Sequence, residues 1–335
     1  MMKETAMTRS VRIHEFGSPE VLRIEDVTVG EPGAGEVRLR IHAIGLNRTE
    51  LTLRSGRSPA KPALPSGIGF EAAGVIEALG PDVDGFALGD RVALVPAYGA
   101  AQYALYGEVA LAPARSLVAI PEHVSFNEAA ATWAAYGTAW AGLIAIGRLA
   151  AGQTVLIPAA SSSVDLAAIQ IANRIGARPL ALTHSRVKSG ALLYHGAAAV
   201  IATTGQDVIA EVKHLTDGRG ADLVFDPVGG PGFADLARAT ANGGTLVLYG
   251  ALDTDPTVVP PFDILARDLT VRGLALTAHT RDDAQLASLK RFVSEGLADG
   301  TLRPTIARTF SFDEIVAAHR FIEAGEQVGK IVVTV

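Results

Sequence analysis

Two short stretches carry residue types suited to holding phosphate. The first, Pro158-Ala159-Ala160-Ser161-Ser162-Ser163-Val164-Asp165-Leu166, follows the apolar run Thr154–Ile157 and opens an apolar-periodic segment. A tight turn between a strand and a helix leaves backbone N–H groups unpaired and directed at any anion near the helix N-terminus. Dinucleotide sites use that arrangement, ordinarily with the glycines of G-x-G-x-x-G. Here Ala160, Ser162 and Asp165 stand at the three glycine positions. Alanine and serine are small, and serine hydroxyls donate to phosphate oxygens. Asp165 cuts both ways. A carboxylate in the first helical turn contributes roughly 0.3–1 kcal/mol through the helix dipole, yet it repels a bound pyrophosphate. Ser161, Ser162, Ser163, Val164 and Asp165 are the candidate pyrophosphate contacts, with Asp165 either turned aside as a cap or weakening the hold on the cofactor.

The second stretch is Thr183-His184-Ser185-Arg186-Val187-Lys188, at the end of the next apolar run. A site for NAD(H) normally places Asp or Glu here to bind the ribose 2′-OH. None is present. Ser185, Arg186 and Lys188 instead offer a hydroxyl and two cations, a set that suits a 2′-phosphate through charge-assisted hydrogen bonds. With Thr183 they favour NADP(H), the plain alternative being basic residues on an exposed helix start. Tyr249 and Gly250, at the end of a later strand, join the candidate cofactor residues because ligands lie beyond strand C-terminal ends in such sheets.

The elements that must position these residues are legible as a rhythm. From Gln153 onward, short apolar runs alternate with helical segments: strands at Thr154–Ile157, Leu180–Thr183, Ala199–Ala202, Asp222–Asp226 and Thr245–Gly250, and helices near 164–175, 186–195, 207–215 and 233–240. Uninterrupted apolar strands alternating with helices mean a parallel sheet covered on both faces, an α/β doubly wound fold of Rossmann type. The first ~125 residues instead show short alternating runs broken by Gly and Pro, among them Val11–Glu15, Glu36–Ile44 and Gly74–Leu79, and read as a compact β-rich domain. The apolar window Glu128–Ile146 reads as a buried helix pair. The tail predicts helices near 284–296 and 312–324 and a strand at Lys330–Thr334 that returns to the first domain. The expected division is therefore 1–127 with 268–335, and 128–267 between them.

The chain has 335 residues, with 29 Lys+Arg against 35 Asp+Glu and a formal net charge of −6. At about 150 residues per domain that length suggests two. The acidic balance and the lack of any basic run argue against nucleic acid or anionic lipid as a partner. There is no Cys, which removes disulfides, thiolate chemistry and Cys-ligated zinc, and is compatible with a reducing compartment. Met1–Ser10 is polar and lacks the apolar core of a signal peptide, and no stretch reads as a membrane span. These features predict a soluble, cytoplasmic protein.

Several pieces, in order, carry a resemblance to a known family. They are Val11 to Leu22, Ala43-Ile44-Gly45-Leu46-Asn47-Arg48-Thr49-Glu50, Gly69-Phe70-Glu71-Ala72-Ala73-Gly74, Asp226-Pro227-Val228-Gly229-Gly230 and Val328 to Val335. Together they resemble the quinone oxidoreductase-like branch of the medium-chain dehydrogenase/reductase superfamily. The resemblance implies a GroES-like catalytic domain, made of the N-terminal part and the tail, with the dinucleotide-binding domain inserted. It also implies a homodimer, expected to form through a sheet edge around Gly244–Leu252. Zinc-using relatives have a Cys where this chain has Asn47 and a His where it has Phe70, and catalytic zinc needs about three protein ligands. The expectation is a zinc-free enzyme.

Without a Lewis acid, hydride addition to an activated C=C is less demanding than carbonyl reduction, because charge delocalises onto a carbonyl or quinone oxygen that a few donors stabilise. The expected activity is NADPH-dependent reduction of an α,β-unsaturated carbonyl or quinone. Alternatives are an alcohol dehydrogenase or carbonyl reductase, or a non-redox protein whose cofactor binding Asp165 weakens. By the resemblance, Asn47 is the substrate-side Asn, Thr138 lies near the nicotinamide, and Lys330 faces the cofactor from the returning strand. Many relatives carry a Tyr a few residues after the Asn, where this chain has Thr52. Tyr103 and Tyr106, with Tyr98 behind them, are then the candidate proton donors beside water, and Trp133, Tyr136 and Trp140 the candidate pocket walls.

Overall fold

The computed structural model describes residues 7–58 and 61–335. The polar opening segment as far as Ala6 lies outside them. Eight short strands come first: β1 (Met7–Ile13), β2 (Leu22–Thr28), β3 (Glu36–Gly45), β4 (Ser66–Gly67), β5 (Ala72–Leu79), β6 (Arg91–Leu94), β7 (Val109–Pro113) and β8 (Leu117–Ala119). Six follow: β9 (Thr154–Ile157), β10 (Arg178–Thr183), β11 (Ala199–Ala202), β12 (Ala221–Asp226), β13 (Thr240–Leu248) and β14 (Thr270–Gly273). Two close the chain, β15 (Ile306–Ser311) and β16 (Lys330–Thr334).

The chain divides into two compact units. The first gathers the chain up to Ala134 with Thr280–Lys290 and Pro304–Val335; the second holds Ala135–His279 and Arg291–Arg303. In the first, a sheet runs β15-β16-β3-β5-β6-β8, with β7 also on β3, beside a small sheet β2-β1-β4. Strand β3 shows why these residues pair: Val37, Leu39 and Ile41 alternate inward and are buried, while their neighbours are less so. They pack with Val11, Ile13, Ile76, Ile331 and Val333 into one core. The returning strand β16 lies antiparallel on β3, with Val332 opposite Gly45 and Val333 opposite Ile44.

In the second unit the sheet order is β11-β10-β9-β12-β13-β14, all parallel. Counted from β9 this is the order 3-2-1-4-5-6 of the doubly wound dinucleotide fold, whose switch point falls between the first and fourth strands, here β9 and β12. Strand β9 is buried at every residue, as a strand covered on both faces must be. Around the sheet run α4 (Ser163–Arg174), α5 (Ser189–Tyr194), α6 (Val208–Leu215) and α7 (Phe233–Ala239), and α8 (Pro261–Arg267) precedes β14. The first three helices of the chain are α1 (Arg48–Arg54), α2 (Phe126–Ala130) and α3 (Trp133–Trp140), the last continuing as a π-helical stretch Ala141–Ile146. The expected helix pair at 128–146 is thus three consecutive pieces. The expected helix at 186–195 is a 3-10 turn, Arg186–Lys188, followed by α5.

One expectation is overturned. The segment Gly244–Leu252 is not a sheet edge, because β13 is paired on both sides, by β12 and by β14. On that side the edge is β14, which a sequence reading misses because all four of its residues are exposed and leave no apolar run.

Candidate functional site

In the second unit the turn after β9 is built without glycine. The left-handed backbone that a glycine would supply falls on Ala159, with φ of 51°, which costs roughly 1–2 kcal/mol for a residue with a Cβ. Ala160 is buried, its N–H bound to the Leu182 carbonyl of the neighbouring strand. Ser162 is the N-cap of α4, its hydroxyl accepting from the Asp165 N–H at 3.2 Å. Ser161, Ser163 and Val164 are half-buried at the same helix end.

Thr183 closes β10 and is buried, whereas Ser185 is half-buried and Arg186 exposed beyond it. Lys188 reaches back, donating to the Ser161 hydroxyl at 3.1 Å. An ammonium and a row of hydroxyls therefore meet at the N-terminus of α4, and that donor set fits the phosphates of a dinucleotide. Asp165 is fully buried, with Ser162 on one carboxyl oxygen at 2.6 Å and the Tyr249 hydroxyl on the other at 2.7 Å. Burial pushes its pKa well above the usual carboxylate range, helped by nearby Asp226 and opposed by the two hydroxyls. Gly250 runs close to the backbone, since a Cβ there would lie 2.5 Å from the Pro227 carbonyl oxygen. Thr138 lies half-buried in α3. Tyr136 is buried, its hydroxyl donating to Gln170 at 2.7 Å.

In the first unit Asn47 and Lys330 come together. Just past the paired strands, Leu46 N–H donates to the Ile331 carbonyl and Gly45 N–H to the Glu71 carbonyl, which brings Asn47, Lys330 and Glu71 side by side. The Lys330 ammonium is bonded to Glu71 and donates to the Asn47 side-chain carbonyl at 2.7 Å. Asn47 in turn donates from its amide to the Gly45 carbonyl at 3.0 Å and to Glu71 at 3.2 Å. The second Glu71 oxygen accepts from the Ala134 N–H at 2.7 Å. Glycine at position 45 is what lets this carboxylate in: a Cβ would lie 2.0 Å from the Ala130 carbonyl oxygen and 2.8 Å from Glu71 Oε1. Lys330 and Glu71 are each about 1% exposed at the side chain, so this is a sealed ion pair.

Glu50 completes the cluster. It is fully buried in α1 and accepts the Asn47 backbone N–H, the acidic half of a capping box. Burial raises its pKa to about 8 against the pull of Lys330 and Asn47. Charge balance gives the same answer, because one ammonium cannot neutralise two sealed carboxylates. Beyond Glu50, the Arg54 guanidinium pairs with Glu323 and contacts His319 Nδ1 at 3.3 Å. Burial and Arg54 hold His319 down at a pKa of about 3.

The candidate proton donors differ in what their hydroxyls meet. Tyr98 donates to the Phe70 carbonyl at 3.0 Å and Tyr103 to Glu36 at 3.0 Å, the latter with a pKa pushed up to about 12 by burial and Glu36. Tyr106 is fully buried, edge-on to His319. Glu50 and the pairing of Glu71 with Lys330 were not singled out as site features from the sequence. The spacing Asn47-x-x-Glu50 is the one local signal for them.

Comparison with known proteins agrees with this architecture. A family model described as alcohol dehydrogenase GroES-like domain matches residues 33–142, and one described as zinc-binding dehydrogenase matches 195–333. The quinone oxidoreductase of Mus musculus is 30% identical over 330 residues, covering 97% of each chain. This chain belongs to the medium-chain dehydrogenase/reductase superfamily. Within that superfamily it falls in the quinone oxidoreductase-like branch. The crystal structure of Escherichia coli quinone oxidoreductase complexed with NADPH is similar, with a TM-score of 0.90 at 26% identity over 98% of this chain and 100% of that one. A crystal structure of an NAD-dependent alcohol dehydrogenase is also similar, with a TM-score of 0.89 at 33% identity over 98% and 99%.

Proposed function

We propose that this member of the superfamily is an NADPH-dependent, metal-independent reductase that passes hydride to an α,β-unsaturated carbonyl or quinone, and works as a cytoplasmic homodimer. The observation that carries the cofactor reading is the Lys188 ammonium on the Ser161 hydroxyl, with no acidic residue after β10 to bind a ribose 2′-OH. Ser161, Ser162 and Ser163 and the backbone at the start of α4 would hold the pyrophosphate, and Ser185, Arg186 and Lys188 the 2′-phosphate. Bound NADPH supplies the hydride. The likeness to the E. coli enzyme complexed with NADPH supports the same choice.

Metal independence rests on the donor set. Asn47 and Phe70 stand where zinc-using relatives place Cys and His, and Glu71 and Asn47 are already engaged by the chain's own cation, Lys330. Among the described residues no group of three or more His, Asp or Glu side chains is placed to hold a metal, and two neutral side chains do not replace the missing ligands. The cluster fixes Asn47 rigidly, since its carboxamide oxygen and nitrogen both have internal partners. A preorganised residue of this kind orients a bound molecule without reorganising during reaction.

The NAD-dependent alcohol dehydrogenase with a similar structure keeps a second reading open, an NADH-using alcohol or carbonyl enzyme. Titration with NADPH and with NADH, followed by protein fluorescence, separates the two. The expected result is clearly tighter binding of NADPH, with Lys188→Ala removing most of the preference. Turnover of enones and quinones that persists after exhaustive chelation completes the test. Equal affinity for both cofactors, or loss of activity with the chelator, would defeat the reading.

A further inference from the structure

Asp165 is neither a simple cap nor a charge facing the phosphate turn. Its carboxyl group is enclosed: Oδ2 meets the Ser162 hydroxyl at 2.6 Å and Oδ1 meets the Tyr249 hydroxyl at 2.7 Å. The Tyr249 ring is stacked on Phe225, centroids 4.1 Å apart and planes within 20°, so its hydroxyl is held in place. Asp165 follows β9 and Tyr249 follows β13, with β12 between those strands. The bond therefore spans the carboxyl end of β12, where Asp226 accepts the N–H groups of Val228 and Gly229 at 2.8 and 3.1 Å.

Counting hydrogens shows what this arrangement does to the turn. Ser162 has one hydroxyl hydrogen. When Asp165 is ionised, that hydrogen is drawn to Oδ2, the turn loses a donor, and a buried negative charge sits beside a place meant for anions. When Oδ2 carries a proton, it donates to Ser162 Oγ and the serine hydrogen is released toward a ligand. We propose that Asp165 and Tyr249 are positioning residues of the phosphate turn, and that the dinucleotide binds the form of the protein in which Asp165 is protonated.

This rests on reading the second unit as an NADP(H) site. The ionisable groups around Asp165 are Asp226 from the end of β12 and Tyr249 from the end of β13, while Lys188 approaches the same turn at Ser161 from beyond β10. Asp226 disfavours ionisation of Asp165, and the Tyr249 hydroxyl favours it.

The test is NADPH affinity of the full-length protein between about pH 5 and about pH 9, with proton uptake measured by calorimetry in buffers of different ionisation enthalpy. The wild type is expected to bind with constant affinity at the acid end, then to weaken by about tenfold per pH unit once Asp165 ionises, taking up a proton on binding. Asp165→Asn keeps an N–H toward Ser162 and is expected to lack the alkaline weakening and the proton uptake that belong to Asp165, leaving only the pH dependence that both proteins share. The 2′-phosphate and Asp226 titrate in both proteins, so the difference isolates Asp165. Tyr249→Phe keeps the stack on Phe225 but removes a donor to the carboxylate, and the weakening is expected to move to higher pH. Identical pH profiles for the wild type and Asp165→Asn would overturn the proposal. No binding at any pH by folded wild type, Asp165→Asn or Asp165→Gly would instead remove the cofactor reading and this inference with it.

Discussion

Glu50 and Lys330 are more than 250 residues apart in sequence, yet they share one sealed pocket of charge with Glu71 and Asn47. The pocket holds two carboxylates and one ammonium, and the proton that restores balance sits on Glu50, whose pKa is raised from 4.5 to about 8 chiefly by burial. The folded chain holds this proton more tightly than the unfolded chain does. Its contribution to stability is therefore complete below about pH 4.5 and is lost as pH rises to about 8, by about 1.4 kcal/mol per unit at most. Thermal melts across that window are expected to show the wild type losing stability with pH while Glu50→Gln loses less, the variant overtaking it at the alkaline end. Parallel curves would mean that Glu50 is ionised in the folded protein. The converse change is harsher. Lys330→Met leaves Glu71 buried without a counter-charge and is expected to cost on the order of 3–5 kcal/mol, with Glu71→Gln in the same chain recovering part of it in a denaturation cycle.

At the scale of elements, what could be read from the sequence depended on whether the signal is local. Strands β9, β11 and β16 match the expected bounds residue for residue, because each is a short apolar run whose burial needs no information from elsewhere. Strands β14 and β15 were missed. All four residues of β14 are exposed, and in β15 only Phe310 is buried, so neither offers a pattern. The turn between β9 and α4 lies where it was expected along the chain, but its left-handed residue, Ala159, was not legible. That detail depends on φ, which a run of alanine and serine does not reveal. Asn47 and Lys330 were named through the family resemblance, and their partnership was not foreseen, because strand pairing between β3 and β16 alone brings them together. Tyr103 was named for its hydroxyl, and only the fold shows that hydroxyl spent on Glu36.

For the molecule as a whole, the proposed pairing of two copies would use the β14 side of the second unit. Strand β14 is the last in its sheet, and Phe262 and Leu265 on α8, just before it, are 84% and 77% exposed. An open strand edge and exposed apolar side chains on the helix that precedes it in sequence are features that a second identical sheet would cover. Light scattering at micromolar concentration is expected to give a dimer for the wild type and a monomer for Phe262→Asp, with circular dichroism unchanged. A monomeric wild type would refute the pairing. The route by which the chain reaches its fold follows from β16. Lys330 is 283 residues from Asn47 and 259 from Glu71, so the first unit is closed by one of the longest loops the chain can make. On a ribosome β3 and β5 emerge long before their neighbour exists, with an open edge on β3 and two carboxylates awaiting a cation. Contacts this distant form slowly, and the interval before β16 arrives is when the nascent protein is most exposed to aggregation and to chaperones.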